Sequence, residues 1–279
     1  MFLCTAPLTA AAQTNLIVDG TDANVANRVR TLGGLQRFDH ICVINGGVIN
    51  VTPYVGGSKV ATGNLELIAR TIFIEGDSRI NARGAGYSTT RCANGTGPNG
   101  TAGGRGGCSV NDSGGGGSHF GLAGRGTIDA PTQYPRDFED NCMQTWNGSA
   151  CGSRTCPGFC GTNGCYPNTT GPTVAGLPYW HNIYDPEFGS SGGDKGCRDG
   201  DGTTGPVAVG GSGGGRVVLV GLTARGIGNA PVECTSQAPG NAIPNGSVII
   251  EGDIDAGGKR GCGFENDSGG GGGGGTVLV

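Results

Sequence analysis

Apolar residues in this chain come in short runs. Leu65-Glu66-Leu67-Ile68-Ala69, Ile72-Phe73-Ile74, Val217-Val218-Leu219-Val220 and Val248-Ile249-Ile250 are rich in Val and Ile and bounded by Gly or Asp. Such runs read as strands. They also repeat. Residues 64–86 carry two limbs in tandem, and the limbs recur separately at 216–224 and 247–258. Limb A is Leu65–Ala69 or Val217–Val220. Limb B is Ile72-Phe73-Ile74-Glu75-Gly76-Asp77 with Ile80-Asn81-Ala82, or Val248-Ile249-Ile250-Glu251-Gly252-Asp253 with Ile254-Asp255-Ala256. The Glu-Gly-Asp inside limb B predicts a turn, with Gly76 and Gly252 free to take positive φ.

One such unit cannot bury its apolar face alone, whereas stacked copies build a continuous core. Cys42–Val51 has the same strand, glycine turn, strand rhythm and is expected to form an earlier coil. Thr276-Val277-Leu278-Val279 is limb A again, so the chain is expected to stop inside a third copy. The fold class expected is therefore all-β, a parallel solenoid with long glycine-rich, disulfide-stapled insertions. Residues 14–279 form one unit, with a cysteine-rich insertion at about 128–212. Residues 1–13 are weakly apolar, end in Ala10-Ala11-Ala12 and lack a basic stretch. They read as a signal-peptide remnant or the start of a gene fragment.

Composition sharpens this picture. The chain has 61 glycines among 279 residues, and only 14% of its residues are charged. A thick aromatic core is out of reach, and no three-residue collagen period runs through the glycines. The run Gly269–Gly275 predicts either packed polyproline-II-like helices or a flexible linker. The net charge is −4, with both signs spread out, so nucleic-acid binding has no electrostatic footing. No stretch of 18 consecutive apolar residues is present, which argues against a transmembrane helix.

There are 12 cysteines. Those at Cys92, Cys108, Cys142, Cys151, Cys156, Cys160, Cys165, Cys197, Cys234 and Cys262 are expected in disulfides of an oxidising compartment. Zinc is the alternative, but the spacing between Cys151 and Cys165 is not that of a structural zinc site. Asn-x-Ser/Thr sequons occur at Asn50, Asn94, Asn99, Asn111, Asn147, Asn168, Asn245 and Asn266. They read as glycosylation sites or as turn chemistry.

Strand, Ile-x-Gly-x-Ile, glycine run and strand follow one another at Ile74–Gly86, Ile250–Gly258, Gly213–Val220 and Gly273–Val279. This arrangement resembles the glycine-rich right-handed parallel β-helix regions of large surface and adhesin-type proteins. Tyr184–Gly193 is similar to the loop before their glycine runs, and the tips of phage fibre adhesins are similar in polyglycine packing. The resemblance implies a pectate-lyase-like solenoid, a surface or matrix setting and no catalytic residue. The cysteines at 142–165 depart from the bacterial pattern.

Candidate chemistry is thin. Glu75, Asp77, Glu251, Asp253 and Asp255 recur at the same place in each limb B, as turn residues do. A polysaccharide lyase or hydrolase would need a non-repeated acidic cluster. Asp194, Asp199 and Asp201 form a loop that is a weak Ca²⁺ candidate without EF-hand spacing. No other cofactor is expected. His40, His119 and His181 are scattered. Tyr179, Trp180, His181, Tyr184 and Phe188 form an aromatic cluster that could stack on sugar rings or pack as a local mini-core. The function expected is a non-enzymatic, extracellular structural or adhesive segment whose partners are glycans or matrix proteins. The alternative is a carbohydrate-active or glycan-binding β-helix.

Overall fold

The computed structural model describes residues 15–88, 95–98, 116–119, 188–193, 210–223, 234, 246–261, 263–264, 267–268 and 270–279. In chain order the elements are β1 (Leu16–Asp19), α1 (Val25–Arg28), β2 (Val29–Leu32), β3 (Gly34–Arg37), β4 (His40–Ile44), β5 (Val48–Val51) and β6 (Asn64–Ala69). They continue as β7 (Thr71–Ile74), β8 (Arg79–Asn81), β9 (Arg216–Gly221), β10 (Ser247–Ile250), β11 (Asp253–Asp255), β12 (Gly263–Phe264), β13 (Asp267–Ser268) and β14 (Thr276–Leu278). Among the described residues the chain is all-β apart from the four-residue α1. Twelve strands form three parallel four-stranded sheets, ordered β1-β4-β7-β10, β2-β5-β8-β11 and β3-β6-β9-β14. Successive strands visit the three sheets in a fixed rotation, and only the β12–β13 hairpin interrupts it.

Register explains the sequence repeat. Within each strand, alternate side chains point to opposite faces, so a parallel stack in register lines up one row per face. Leu16, Ile41, Ile72 and Val248 form one inward row, and Val18, Val43, Ile74 and Ile250 the next. Ile49, Ile80 and Ile254 line the second sheet, and Leu65, Val217 and Val277 the third. Most of these aliphatic side chains are buried in one continuous core, each contributing about 1.5–3 kcal/mol of transfer free energy. The two limb A copies pair as β6 and β9, with Thr276–Leu278 added as β14. The two limb B copies pair as β7–β10 and β8–β11, and Cys42–Val51 supplies β4 and β5 beside them. Polar residues follow the same ladders. Asn81 Nδ2 donates to Asn50 Oδ1 at 3.1 Å, and Arg216 Nη1 donates to Asn64 Oδ1 at 2.8 Å.

The turns differ from expectation. Gly76 and Gly252 do not take positive φ; the left-handed pair is Asn45 (φ 52°) and Gly46 (φ 76°), one coil earlier. Gly252 is needed for room instead, because a Cβ there would press on the Glu75 and Ser78 carbonyl oxygens.

Beside the sheets lies a layer of extended glycine segments. Gly189 N and Gly192 N donate to Gly214 O and Gly211 O. Gly270 N and Gly273 N donate to Gly193 O and Ser190 O, and Gly211 N and Gly214 N to Gly270 O and Gly273 O. Gly272 N and Gly275 N donate to Lys259 O and Ala256 O. All eight bonds measure 2.7 to 2.9 Å, and within each pair both partners step by three residues, in the same direction for Gly211 and Gly214 and in opposite directions in the other three pairs. Three residues per turn is the polyproline II repeat, and that helix has no internal hydrogen bonds to compete. None of these glycines has positive φ. Segment 270–275 bonds to segments 188–193, 210–215, 256–261 and, through Gly271 O, to Gly117. A β-strand has two edges and could not serve four neighbours; a helix with three residues per turn and no internal bonds points its N–H and C=O groups outward all around its axis and can. The described glycine segments are therefore packed backbone to backbone.

Candidate functional site

Where the glycine layer meets the sheets, three rings converge. Tyr54 and Tyr87 lie edge to face with centroids 5.2 Å apart, and Phe188 is 5.0 Å from Tyr54 and 4.7 Å from Tyr87. Lys59 Nζ sits 5.4 Å from the Tyr87 centroid, a cation–π arrangement. Backbone bonds fix the rings: Tyr54 N donates to Ala85 O, Tyr87 N to Gly189 O, and Gly213 N to Tyr87 O. Of the aromatic cluster read from the sequence, Tyr179, Trp180, His181 and Tyr184 lie outside the described residues. Phe188 is 2% exposed, so its ring faces belong to Tyr54 and Tyr87 and are closed to a sugar. Sequence reasoning missed both tyrosines. Their signal was position: each sits within two residues of a glycine in a loop that must turn onto the next sheet.

The carboxylates are held locally. Glu75 Oε2 accepts from Asn45 N, and Asp255 Oδ1 accepts from Gly257 N. Asp19 accepts from the Thr21 hydroxyl, the Thr21 amide and Asn45 Nδ2, and these bonds, the hydroxyl first, hold its pKa below the usual 3.8. Among the described residues, no three His, Cys, Asp or Glu side chains are grouped to hold a metal. Asp194, Asp199 and Asp201 lie outside the described residues. Gly189–Gly193 and Gly210–Gly214 both match the Gly-x-Ser-x-Gly pattern of hydrolase nucleophile elbows, which the sequence reading passed over. Neither sits on a strand-to-helix turn. Ser191 is buried in the glycine layer, where its Oγ accepts from Thr96 N at 2.7 Å.

Cys234 is bonded to Cys42, 192 residues away in sequence. Cys42 was read as a strand residue and left out of the expected disulfide set, because its β-branched neighbours mask it. Cys92, Cys108, Cys142, Cys151, Cys156, Cys160, Cys165, Cys197 and Cys262 lie outside the described residues. The bridge covers the outward face of the first sheet, where Cys42, Ile44, Phe73, Cys234 and Ile249 cluster. Among the sequons, Asn50 is described. It lies in β5 between two paired strands, with its side-chain oxygen accepting from Asn81. Asn94, Asn99, Asn111, Asn147, Asn168, Asn245 and Asn266 lie outside. No family model matches the sequence, and no curated protein or solved structure matches it either. No helix among the described residues is long and apolar enough to cross a membrane.

On the same sheet, His40 and Thr71 are register partners, both buried, and neither His40 Nδ1 nor Thr71 Oγ1 has a hydrogen-bond partner. Burial pushes the His40 pKa below its usual 6.5; Arg70 adds to this, while Asp39 opposes it. Arg70 and Asp39 also pair with each other at 3.7 Å. A depressed histidine pKa favours the unfolded chain once that chain takes up the proton. His40 therefore contributes stability above pH 6.5 that is lost as pH falls through 6.5 toward the folded value. Urea midpoints measured from pH 7.5 down to 5 are expected to decline, and His40→Gln is expected to flatten that slope. An unchanged slope in the variant would place the acid sensitivity elsewhere.

Proposed function

We propose that this chain belongs to a non-enzymatic extracellular structural or adhesive protein, built as a parallel β-helix rod with a polyglycine layer along it. The observation that carries this reading is the backbone interlock of the glycine segments. Bonds between main chains at three-residue spacing tie the described glycine segments down against a protease and leave few side chains there for chemistry. The fixed rotation of strands through three sheets supports the β-helix. The Cys42–Cys234 bridge supports an oxidising compartment. In this reading the mechanism is passive: a stiff core presents loop side chains, and glycans at the sequons other than Asn50, to glycan or matrix partners. A lyase or hydrolase reading finds less support, because Glu75 and Glu251 occupy equivalent turn positions in successive coils and do not converge on one sugar-sized site.

The test is the chain secreted from eukaryotic cells. Non-reducing peptide mapping is expected to find most cysteines paired and glycan on several sequons, with Asn50 unmodified. Proteinase K is expected to leave a large resistant core, and acidic and neutral polysaccharides are expected to stay uncleaved. Free thiols, bare sequons or polysaccharide turnover would each count against the proposal.

A further inference from the structure

The corner between the second and third sheets is turned in two ways. Gly33 alone joins β2 to β3, whereas Thr52 to Gly63 lie between β5 and β6. The longer connection is closed at its neck, where Gly63 N donates to Thr52 O at 2.7 Å and Thr52 N donates to Leu32 O at 2.8 Å. Tyr54 is anchored through its N–H to Ala85 O and through its ring to Tyr87 and Phe188. Beyond that anchor the arm stands clear. Val55 to Ala61 are all exposed, the longest such run among the described residues, with Val55 at 83% and Val60 at 72%. Gly56 and Gly57 have φ of 91° and 87°, and a Cβ on either would meet nothing within 4 Å. Inside the arm, Ser58 O accepts from Ala61 N at 3.4 Å and from Thr62 N at 3.2 Å, at the long end of the hydrogen-bond range. Lys59 is the arm's one basic residue.

We propose that the Lys59–Val60 bond is a processing site for a trypsin-class serine protease, and that the cut chain stays together as two disulfide-linked pieces. A protease must draw several residues on each side of the cut into extended form, so it selects exposed, weakly bonded chain with small residues nearby. Gly56 and Gly57 supply the slack, and lysine suits the acidic specificity pocket of that protease class. To enter the pocket Lys59 has only to leave the Tyr87 ring, a solvent-exposed cation–π contact and so a weak one. The other Lys and Arg of the described residues lie in α1, in strands, in corners between paired segments or in the bonded glycine segments, so reaching them means opening a sheet or the layer. Water adds across the bond: Lys59 gains a carboxylate and Val60 an ammonium group. The pieces are residues 1–59 and 60–279. Strand pairing crosses the cut three times, β3 with β6, β4 with β7 and β5 with β8, and the Cys42–Cys234 bridge crosses it once more. The inference does not depend on the proposed function.

Limited trypsin digestion of the full chain, with its disulfides intact, is the test. Among the described residues the first cut is expected after Lys59, about 100-fold faster than the next, because strand sites wait for local unfolding. The new N-terminus is expected to read Val60-Ala61-Thr62-Gly63. The product is expected to run as one species without reductant and as two with it, its circular dichroism unchanged. Lys59→Gln is expected to remove this cut and Lys59→Arg to keep it, and both variants fold because the side chain is exposed. A first cut elsewhere among the described residues would overturn the proposal. So would a Lys59→Gln chain opened in the arm as fast as the parent, or pieces that part without reductant.

Discussion

Gly214→Ala is expected to lower the unfolding free energy by about 3 kcal/mol or more, while Gly274→Ala leaves it within about 0.5 kcal/mol. Both are glycines of the packed layer and neither has positive φ, so alanine suits the backbone at both. Surroundings decide the outcome. A Cβ on Gly214 would meet Ala256 O and the Gly275 amide well inside van der Waals contact, and both are main-chain atoms that cannot rotate aside. Gly214 also donates to Gly273 and accepts from Gly189, so relieving the clash breaks bonds to two segments. Gly274 has nothing within 4 Å of the same position and lies exposed. Urea denaturation of both variants reads the difference directly. Equal effects would mean that the segments are not locked at backbone distance.

Cys42→Ala, with Cys234→Ala and the double variant, is the second large effect. Each is expected to cost about 2–5 kcal/mol, because the bridge closes a very long loop and pins a cover over buried apolar residues. The double variant should cost no more than either single one, since one bond is lost in all three. Hydrogen exchange should quicken at Phe73 and Ile249, under the bridge, before it quickens at Ile72 and Ile74, which face the interior. A double variant much worse than the singles would mean that the two sulfurs act separately.

The strands were legible because their chemistry is visible in side chains. Ile72 and Ile74 alternate with Phe73, and the same alternation returns at Val248, Ile249 and Ile250, so stacking followed from the repeat. The face covered by the bridge broke the pattern: Cys42 and Phe73 point outward yet are buried. The glycine layer was legible as a possibility and no further. Gly272 and Gly274 are identical in sequence, yet one is pressed on Ser212 and the other is open. Without side chains, partner choice is written only in the main chain. For the same reason Gly252 reads as a turn residue when its constraint is close approach, and Phe188 reads as a surface ring when Tyr54 and Tyr87 close over it. In the described part of the candidate site, sequence identified one ring of three.

The order in which partners emerge along the chain also sets when each part can form. β1 to β8 pair among themselves within the first 81 residues, so three strands of two sheets and two of the third need nothing from further downstream. The glycine layer is different: segment 270–275 joins four others, the earliest of them at Gly117. Until that last stretch is made, the earlier glycine segments have only the bonds they make to one another, and the high entropy of free glycine works against ordering them. During synthesis β1 to β8 can therefore stand paired while the glycine layer waits, and the stretch that carries the layer's keystone runs straight into β14, the last strand of the third sheet.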